Sequence, residues 1–276
     1  MPFLTHKTKT QNVDIFFEDY GQGQPVILIH GWPLSHRAWE QQTWAIVDAG
    51  YRCIAYDRRG FGNSSSPYRS YDYSTLASDL HEIITQLELK DVIIVGFSMG
   101  GGEVVRYCTD YGTKNIAKAA LISSIIPLVP QKEDNPDGVP QKDLRGIINA
   151  LQEDRVGFLE GFHKNFYNYS EDNETVSSAQ LHYDWTIASH ASPIATIQAA
   201  LAWAETDFRA ELENVDVPTL IVHGDADHIV PKATSGDQAA ERIKNNTYQV
   251  IKDGPHGLNI THKDELNKIL LDFLKS

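Results

Sequence analysis

The chain has 276 residues, of which 41% are hydrophobic and 22% charged, with a formal net charge of −13. That length supports one substantial core plus an insertion, and the acidic balance argues against nucleic acid or an anionic membrane surface as a partner. The two cysteines, Cys53 and Cys108, give no disulfide framework. The polar stretch Thr5–Asn12 is no signal peptide, and no apolar run reaches the roughly 18 residues of a membrane span, so a cytoplasmic protein is expected.

Val13–Tyr20 has β character, and Gly21–Pro25 is a turn cluster. Val26-Ile27-Leu28-Ile29 is a continuous apolar run, as a strand covered on both faces requires, and it ends in His30-Gly31-Trp32-Pro33. Ser35–Ala49 reads as a helix and Tyr51–Tyr56 as the next strand. A loop dense in glycine and charge follows, Asp57-Arg58-Arg59-Gly60-Phe61-Gly62. Leu76, Leu80, Ile83, Ile84 and Leu87 share one helical face, with Asp72 or Ser74 as the cap.

Val92–Val95 then runs straight into Gly96-Phe97-Ser98-Met99-Gly100. A buried strand, a serine between two glycines and an immediate helix form the pattern of a nucleophile elbow. That helix stops at Gly112, and Lys118–Ile126 is a further strand. The alternation predicts a parallel sheet with helices on both faces, an α/β fold. After Pro130 no strand is legible until Val217. Leu144, Ile147, Ile148 and Leu151 have helical spacing, Phe158, Phe162 and Phe166 recur every four residues, and Trp185–Leu201 suggests two more helices. Residues 129–209 therefore read as a helical cap, inserted into a core of residues 1–128 and 210–276. The alternation resumes with the strand Val217–His223, a weak helix at Gly236–Lys244, the strand Tyr248–Ile251 and a final helix carrying Leu266, Ile269, Leu270 and Phe273.

A serine hydroxyl needs a neighbouring base, and the base an orienting acid. Both belong on loops at the carboxyl ends of later strands, the acid before the base in the chain. Of 11 histidines, His256 follows the last strand, in Asp253-Gly254-Pro255-His256-Gly257. The loop after the preceding strand, His223-Gly224-Asp225-Ala226-Asp227-His228, offers two acids. Asp227 is assigned as the acid and Asp225 as a turn residue. A metal reading of His223, Asp225, Asp227 and His228 is set aside, because all four lie on one short loop with no matching cluster elsewhere. His30 precedes the nucleophile and reads as a loop-ordering residue. An oxyanion hole needs two N–H donors, expected from Met99 and Trp32.

These motifs, in this order, resemble the α/β-hydrolase family, and within it the branch of cofactor-free bacterial haloperoxidases (perhydrolases), aryl esterases and a γ-lactamase. Further marks of that branch are Asp48–Arg52, Gly102–Tyr107, Asp134–Gly138 and Thr206–Arg209. The resemblance implies the triad Ser98, Asp227 and His256, oxyanion donors Trp32 and Met99, and no metal or cofactor. It implies a small ester or aryl ester as substrate, with a γ-lactam or other amide as the alternative. Pro33, beside the oxyanion loop, implies that hydrogen peroxide can replace water and, with a short carboxylic acid, give a peracid that oxidises halide. Relatives of this branch often assemble as trimers or larger, so the resemblance leaves room for a homo-oligomer, which the sequence itself does not encode legibly. Dehalogenase and epoxide hydrolase chemistry is disfavoured, because those relatives carry Asp where Ser98 stands. A non-catalytic ligand receptor is the reading from another class. Pro33, Phe97, Phe158, Phe162, Ile229 and Val230 are expected to line the substrate pocket, with Trp203 as a further aromatic wall. One departure is Gly101, where the branch has a small polar residue such as Thr, with consequences expected for helix packing behind the nucleophile.

Overall fold

The structure, a computed structural model, describes residues 2–8 and 11–276, so Lys9 and Thr10 of the polar N-terminal stretch lie outside the described residues. Strands β1 (Phe3–Lys7), β2 (Asn12–Tyr20), β3 (Pro25–Ile29), β4 (Arg52–Tyr56), β5 (Val92–Phe97), β6 (Ile116–Ile122), β7 (Thr219–Gly224) and β8 (Asn246–Ile251) form one sheet. Its order is β1-β2-β4-β3-β5-β6-β7-β8. The β1–β2 and β2–β4 pairs are antiparallel, and every later pair is parallel. β5, which carries the elbow, lies between β3 and β6, with Ile29 opposite Gly96 and Phe97 opposite Ile122.

Both faces of the central strands are covered, so their sequences run apolar without alternation. Ile27, Ile29, Val92, Ile94 and Leu121 face helices α2 (Tyr73–Gln86) and α3 (Met99–Tyr111). Val26, Leu28, Ile93, Val95 and Ile122 face α1 (Glu40–Asp48) and α9 (Lys263–Lys275). The side-chain period of two divides one apolar run between two cores. Asp72 is the α2 N-cap, its carboxylate accepting from the Thr75 N–H at 3.0 Å.

Between β6 and β7 run α4 (Gln141–Phe166), α5 (Ser178–His190) and α6 (Pro193–Glu205). The backbone of α4 is non-helical at Asp154 (φ −144°, ψ 83°), where the Asp154 carboxylate accepts from the Gly157 N–H at 2.9 Å. That side-chain bond recaps the second half of α4 in the manner of an N-cap. After β7 come α7 (Gly236–Arg242) and, beyond β8, the single turn α8 (Leu258–Thr261) before α9.

Some expected elements differ. β1 was not expected; its short alternation buries only Leu4 and His6 inside a polar stretch. The helix expected from Ser35 begins as a 3-10 turn, His36–Trp39, capped by the Ser35 hydroxyl, before α1 starts at Glu40. β6 ends at Ile122, and not at Ile126, because Ser123 takes a positive φ of 43° and turns the chain out of the sheet.

Candidate active site

Ser98 sits between β5 and α3 with φ 52° and ψ −117°. A non-glycine residue there is strained, and the strain is held by the close approach of the flanking chains. A side chain at Gly96 would meet the Gly100 carbonyl oxygen at 2.5 Å, and one at Gly100 would run into β3 at Ile29. Neither position tolerates a Cβ without moving backbone, which is the physical content of the two glycines. Gly101 has a different reason. A Cβ there would lie 2.8 Å from the Ser124 Cβ, so the volume that a Thr would occupy belongs to Ser124.

The Ser98 hydroxyl lies 2.9 Å from His256 Nε2, and His256 Nδ1 lies 2.7 Å from Asp227 Oδ2. All three side chains are buried. A carboxylate only accepts, so Nδ1 carries the hydrogen, and Nε2 presents its lone pair to the Ser98 hydroxyl. The Asp227 Oδ1 atom accepts from the N–H groups of Ile229 at 3.0 Å and Val230 at 2.8 Å. Burial alone would raise the Asp227 carboxyl, but His256 and His223 beside it reverse this and hold it well below the usual range. The His256 ring packs between Phe97 (5.3 Å, tilted) and Phe166 (4.9 Å, edge-on). Asp225 accepts from the Asp253 N–H at 2.6 Å, tying the Asp227 loop to the His256 loop.

Met99 is the first residue of α3, so its N–H has no partner within the helix and lies beside Ser98. The Trp32 N–H belongs to the turn after β3. Among the described residues neither N–H is used in a hydrogen bond. His30 orders that turn: Nδ1–H donates to the Gly31 carbonyl at 2.8 Å, and Nε2 accepts from the Arg58 N–H at 3.0 Å. Burial, then the Arg58 charge, lowers the His30 pKa to about 3, so it is a neutral strut at physiological pH. Arg58 donates to the His30 carbonyl at 2.6 Å and to Glu103 of α3 at 2.6 Å, and Tyr56 donates to Glu103 at 2.7 Å.

A cavity of about 800 Å³ opens onto Ser98, Met99, Trp32 and His256. Phe158, Phe162, Trp203, Ile229 and Val230 line it, and Lys164 and Asp143 stand on its exposed side. Phe97 and Pro33 do not line it. The Phe97 ring falls on the opposite sheet face, against Trp39 and beneath His256, as alternation along β5 dictates. Pro33 is buried in the turn after a cis peptide bond, and the cavity wall at that turn is Trp32.

This arrangement of serine, imidazole and carboxylate on an α/β sheet, with the matching motif order, can be compared with known proteins. Residues 24–263 match the family described as alpha/beta hydrolase fold. The chain belongs to that family. It is 44% identical, over the whole of both chains, to a putative non-heme chloroperoxidase from Synechocystis sp.. It is 35% identical to a bifunctional esterase/perhydrolase from Acinetobacter calcoaceticus, covering 99% of this chain and all of that one. The crystal structure of a bromoperoxidase from Bacillus anthracis superposes with a TM-score of 0.95 at 46% identity, covering 99% of this chain and all of that one.

In this α/β hydrolase the helical insertion is bonded to three of the loops around the site. The Trp32 indole donates to the Thr196 carbonyl of α6 at 2.9 Å. Asn168, just past α4, donates to the Ala226 carbonyl beside Asp227 at 2.8 Å. The Gly257 N–H donates to the Phe166 carbonyl at 2.9 Å. Sequence reasoning missed all three, because each joins residues far apart in the chain and each accepts on a backbone carbonyl that carries no residue signature. It also missed His223 as a partner of Asp227; the four-residue spacing of the two was the available signal.

Behind the Phe166–Gly257 contact, Tyr167 donates to Asp184 of α5 at 2.5 Å, and Gln180 donates to the same carboxylate at 3.1 Å. Burial pushes Asp184 up to about 6, although Tyr167 and Gln180 pull against it. The folded state therefore keeps a proton that the unfolded chain releases near pH 4, and stability falls as pH rises from about 4 to about 6. Asp184→Asn should remove that loss. Relative to the unchanged protein, its stability is expected to gain up to about 3 kcal/mol between pH 4 and pH 8. Urea unfolding of both proteins across that range checks this; a difference that stays flat with pH would contradict it.

Proposed function

We propose that the protein is a carboxylic ester hydrolase acting through an acyl-Ser98 intermediate, with hydrogen peroxide able to replace water as the acyl acceptor. The observation that carries the reading is the hydrogen-bonded chain Ser98–His256–Asp227 at the floor of an apolar cavity. His256 takes the Ser98 proton as the oxygen attacks the ester carbonyl. The developing imidazolium is stabilised by Asp227, and the tetrahedral oxyanion by the Met99 and Trp32 N–H groups, each worth about 3 kcal/mol. His256 then returns the proton to the leaving alkoxide, and the alcohol departs. Water, deprotonated by His256, attacks the acyl carbon and releases the carboxylic acid and Ser98. With peroxide as the acceptor the product is the peracid, which passes an oxygen atom to halide outside the triad and reverts to the acid. Relatives named non-heme chloroperoxidase and esterase/perhydrolase support this branch.

Residues 129–209 serve as the cap that encloses the substrate. Phe162 and Trp203 converge on Trp32, with ring centroids 5.2 and 5.9 Å from it, and Phe158 stacks on Phe162 at 6.0 Å along the same cavity wall. Aromatic walls of this kind suit aryl and short acyl esters. Across a series of p-nitrophenyl esters, kcat/KM should peak at short acyl chains, from two to about four carbons, and fall about tenfold or more by twelve. Fastest turnover on long-chain esters would contradict the assignment. A panel of phenyl acetate, a bicyclic γ-lactam, and acetate with peroxide tests the reaction class itself. Ester turnover well above lactam turnover is the expected result.

A further inference from the structure

Asp227 Oδ2, the atom that accepts from His256, has a second imidazole beside it. His223 Nε2 lies 3.2 Å from Asp227 Oδ2 and 2.9 Å from the Val230 carbonyl oxygen. Both neighbours only accept, so Nε2 carries the hydrogen. The Ser235 hydroxyl, 3.5 Å away, already donates to the Pro231 carbonyl at 2.7 Å and leaves that assignment intact. The other ring nitrogen, Nδ1, is buried with no hydrogen-bond partner. A side chain at Gly236 would come within 3.0 Å of it, so α7 closes over the ring. The ring is thus fixed at one edge by the Val230 carbonyl, at the other by packing, and its one N–H is aimed between that carbonyl and the triad carboxylate.

We propose that His223 is a positioning residue for the triad: its Nε2–H holds the Asp227 oxygen used by His256, and thereby sets the pH at which His256 becomes a base. This rests on the proposed roles of Ser98, Asp227 and His256. Asp227 Oδ2 thus has His256 Nδ1 at 2.7 Å and His223 Nε2 at 3.2 Å, the latter hydrogen-bonded to the Val230 carbonyl, and the carboxylate charge acts on both rings. Removing the His223 donor leaves more of it for His256, stabilises the imidazolium and raises the His256 pKa. Other groups around the two rings are already engaged or lie apart. Asp237 on α7 is held by Lys232 at 2.7 Å and by the Tyr248 hydroxyl of β8 at 2.7 Å. The Arg58–Glu103 pair is bound to the oxyanion turn, and Lys164, Asp143 and His228 line the cavity wall. None of them changes in the variants below.

The test compares His223→Leu, which removes the donor, with His223→Gln, whose amide nitrogen reaches the Nε2 position. Should the leucine variant not fold, His223→Asn replaces it, since its amide reaches only as far as Nδ1. Two readouts are taken: the pH profile of kcat/KM on phenyl acetate, and NMR titration of the His256 ring. In His223→Leu, the ascending limb and the His256 titration should both move to higher pH by about half a unit or more. kcat at pH 7 should fall about tenfold with KM within twofold. His223→Gln should restore both towards the unchanged protein. A folded donor-less variant whose His256 titrates as before would overturn the proposal, as would glutamine and leucine variants that behave alike. The NMR titration needs no substrate, so absence of ester turnover in the unchanged protein would strike the proposed function and leave this measurement standing.

Discussion

Ser98→Ala is expected to lower kcat on phenyl acetate by about a millionfold, leaving only the residual acceleration that oxyanion donors and binding supply on their own. The fold should survive the change. The Ser98 side chain contributes one hydrogen bond, to His256, while the strained backbone at φ 52° is held by the approach of Gly96 to Gly100 and by the Ser98 N–H donating to the Ile122 carbonyl at 2.9 Å. Without the hydroxyl, His256 Nε2 loses its donor but keeps Asp227 on the other side, so the thermal midpoint should move by only a few degrees. A fluorophosphonate probe should label the unchanged protein and leave the variant unlabelled. Repeated turnover by the unchanged protein also separates an enzyme from a ligand receptor that merely becomes acylated. Ester turnover in Ser98→Ala near that of the parent would sink the acyl-enzyme assignment.

What could be read in advance follows from how each feature is encoded. Val92–Val95 had to be a strand covered on both faces, because four consecutive β-branched residues next to a glycine fit little else. Sheet polarity then placed every later loop end at one edge, which singled out the loops of His256 and of Asp225 and Asp227. The insertion's helices were legible from their apolar spacing, but the break at Asp154 was not, since it rests on one side-chain bond to the Gly157 N–H. Phe97 adjoins Ser98 in the chain but does not reach the cavity expected of it. Its parity along β5 points it to the Trp39 side. β1 was missed because two inward side chains at a sheet edge give too short a period to register. The bracing of the site by Asn168, Thr196 and Phe166 depends on carbonyls presented by tertiary structure, and a sequence does not display where its carbonyls will point.

Glu103→Ala should be the most damaging change outside the reacting groups, at about 3–5 kcal/mol of folding stability. The carboxylate lies on α3 behind Ser98, fully buried, and its partner Arg58 is buried too. Burial pushes the Glu103 carboxyl up while Arg58 pulls it down, so the two charges are tolerable only together. Deleting one leaves a guanidinium inside the core with the His30 carbonyl as its main remaining acceptor. Total stabilities run to about 5–15 kcal/mol, so the loss is a large fraction, and the thermal midpoint should drop by about 10 °C. Activity should suffer separately. Arg58 fixes the strand end that leads into the Trp32 turn, so a loosened Arg58 should lower kcat more than it raises KM. The double change Glu103→Leu with Arg58→Met removes both charges and should recover a large part of the stability. It should not recover kcat, because the bond to the His30 carbonyl is gone. Urea unfolding of the parent, Glu103→Leu, Arg58→Met and the double variant gives the coupling energy directly. A Glu103→Ala protein within about 1 kcal/mol of the parent would mean that water or a rearranged Tyr56 replaces the carboxylate, and that the pair does not hold the Trp32 turn.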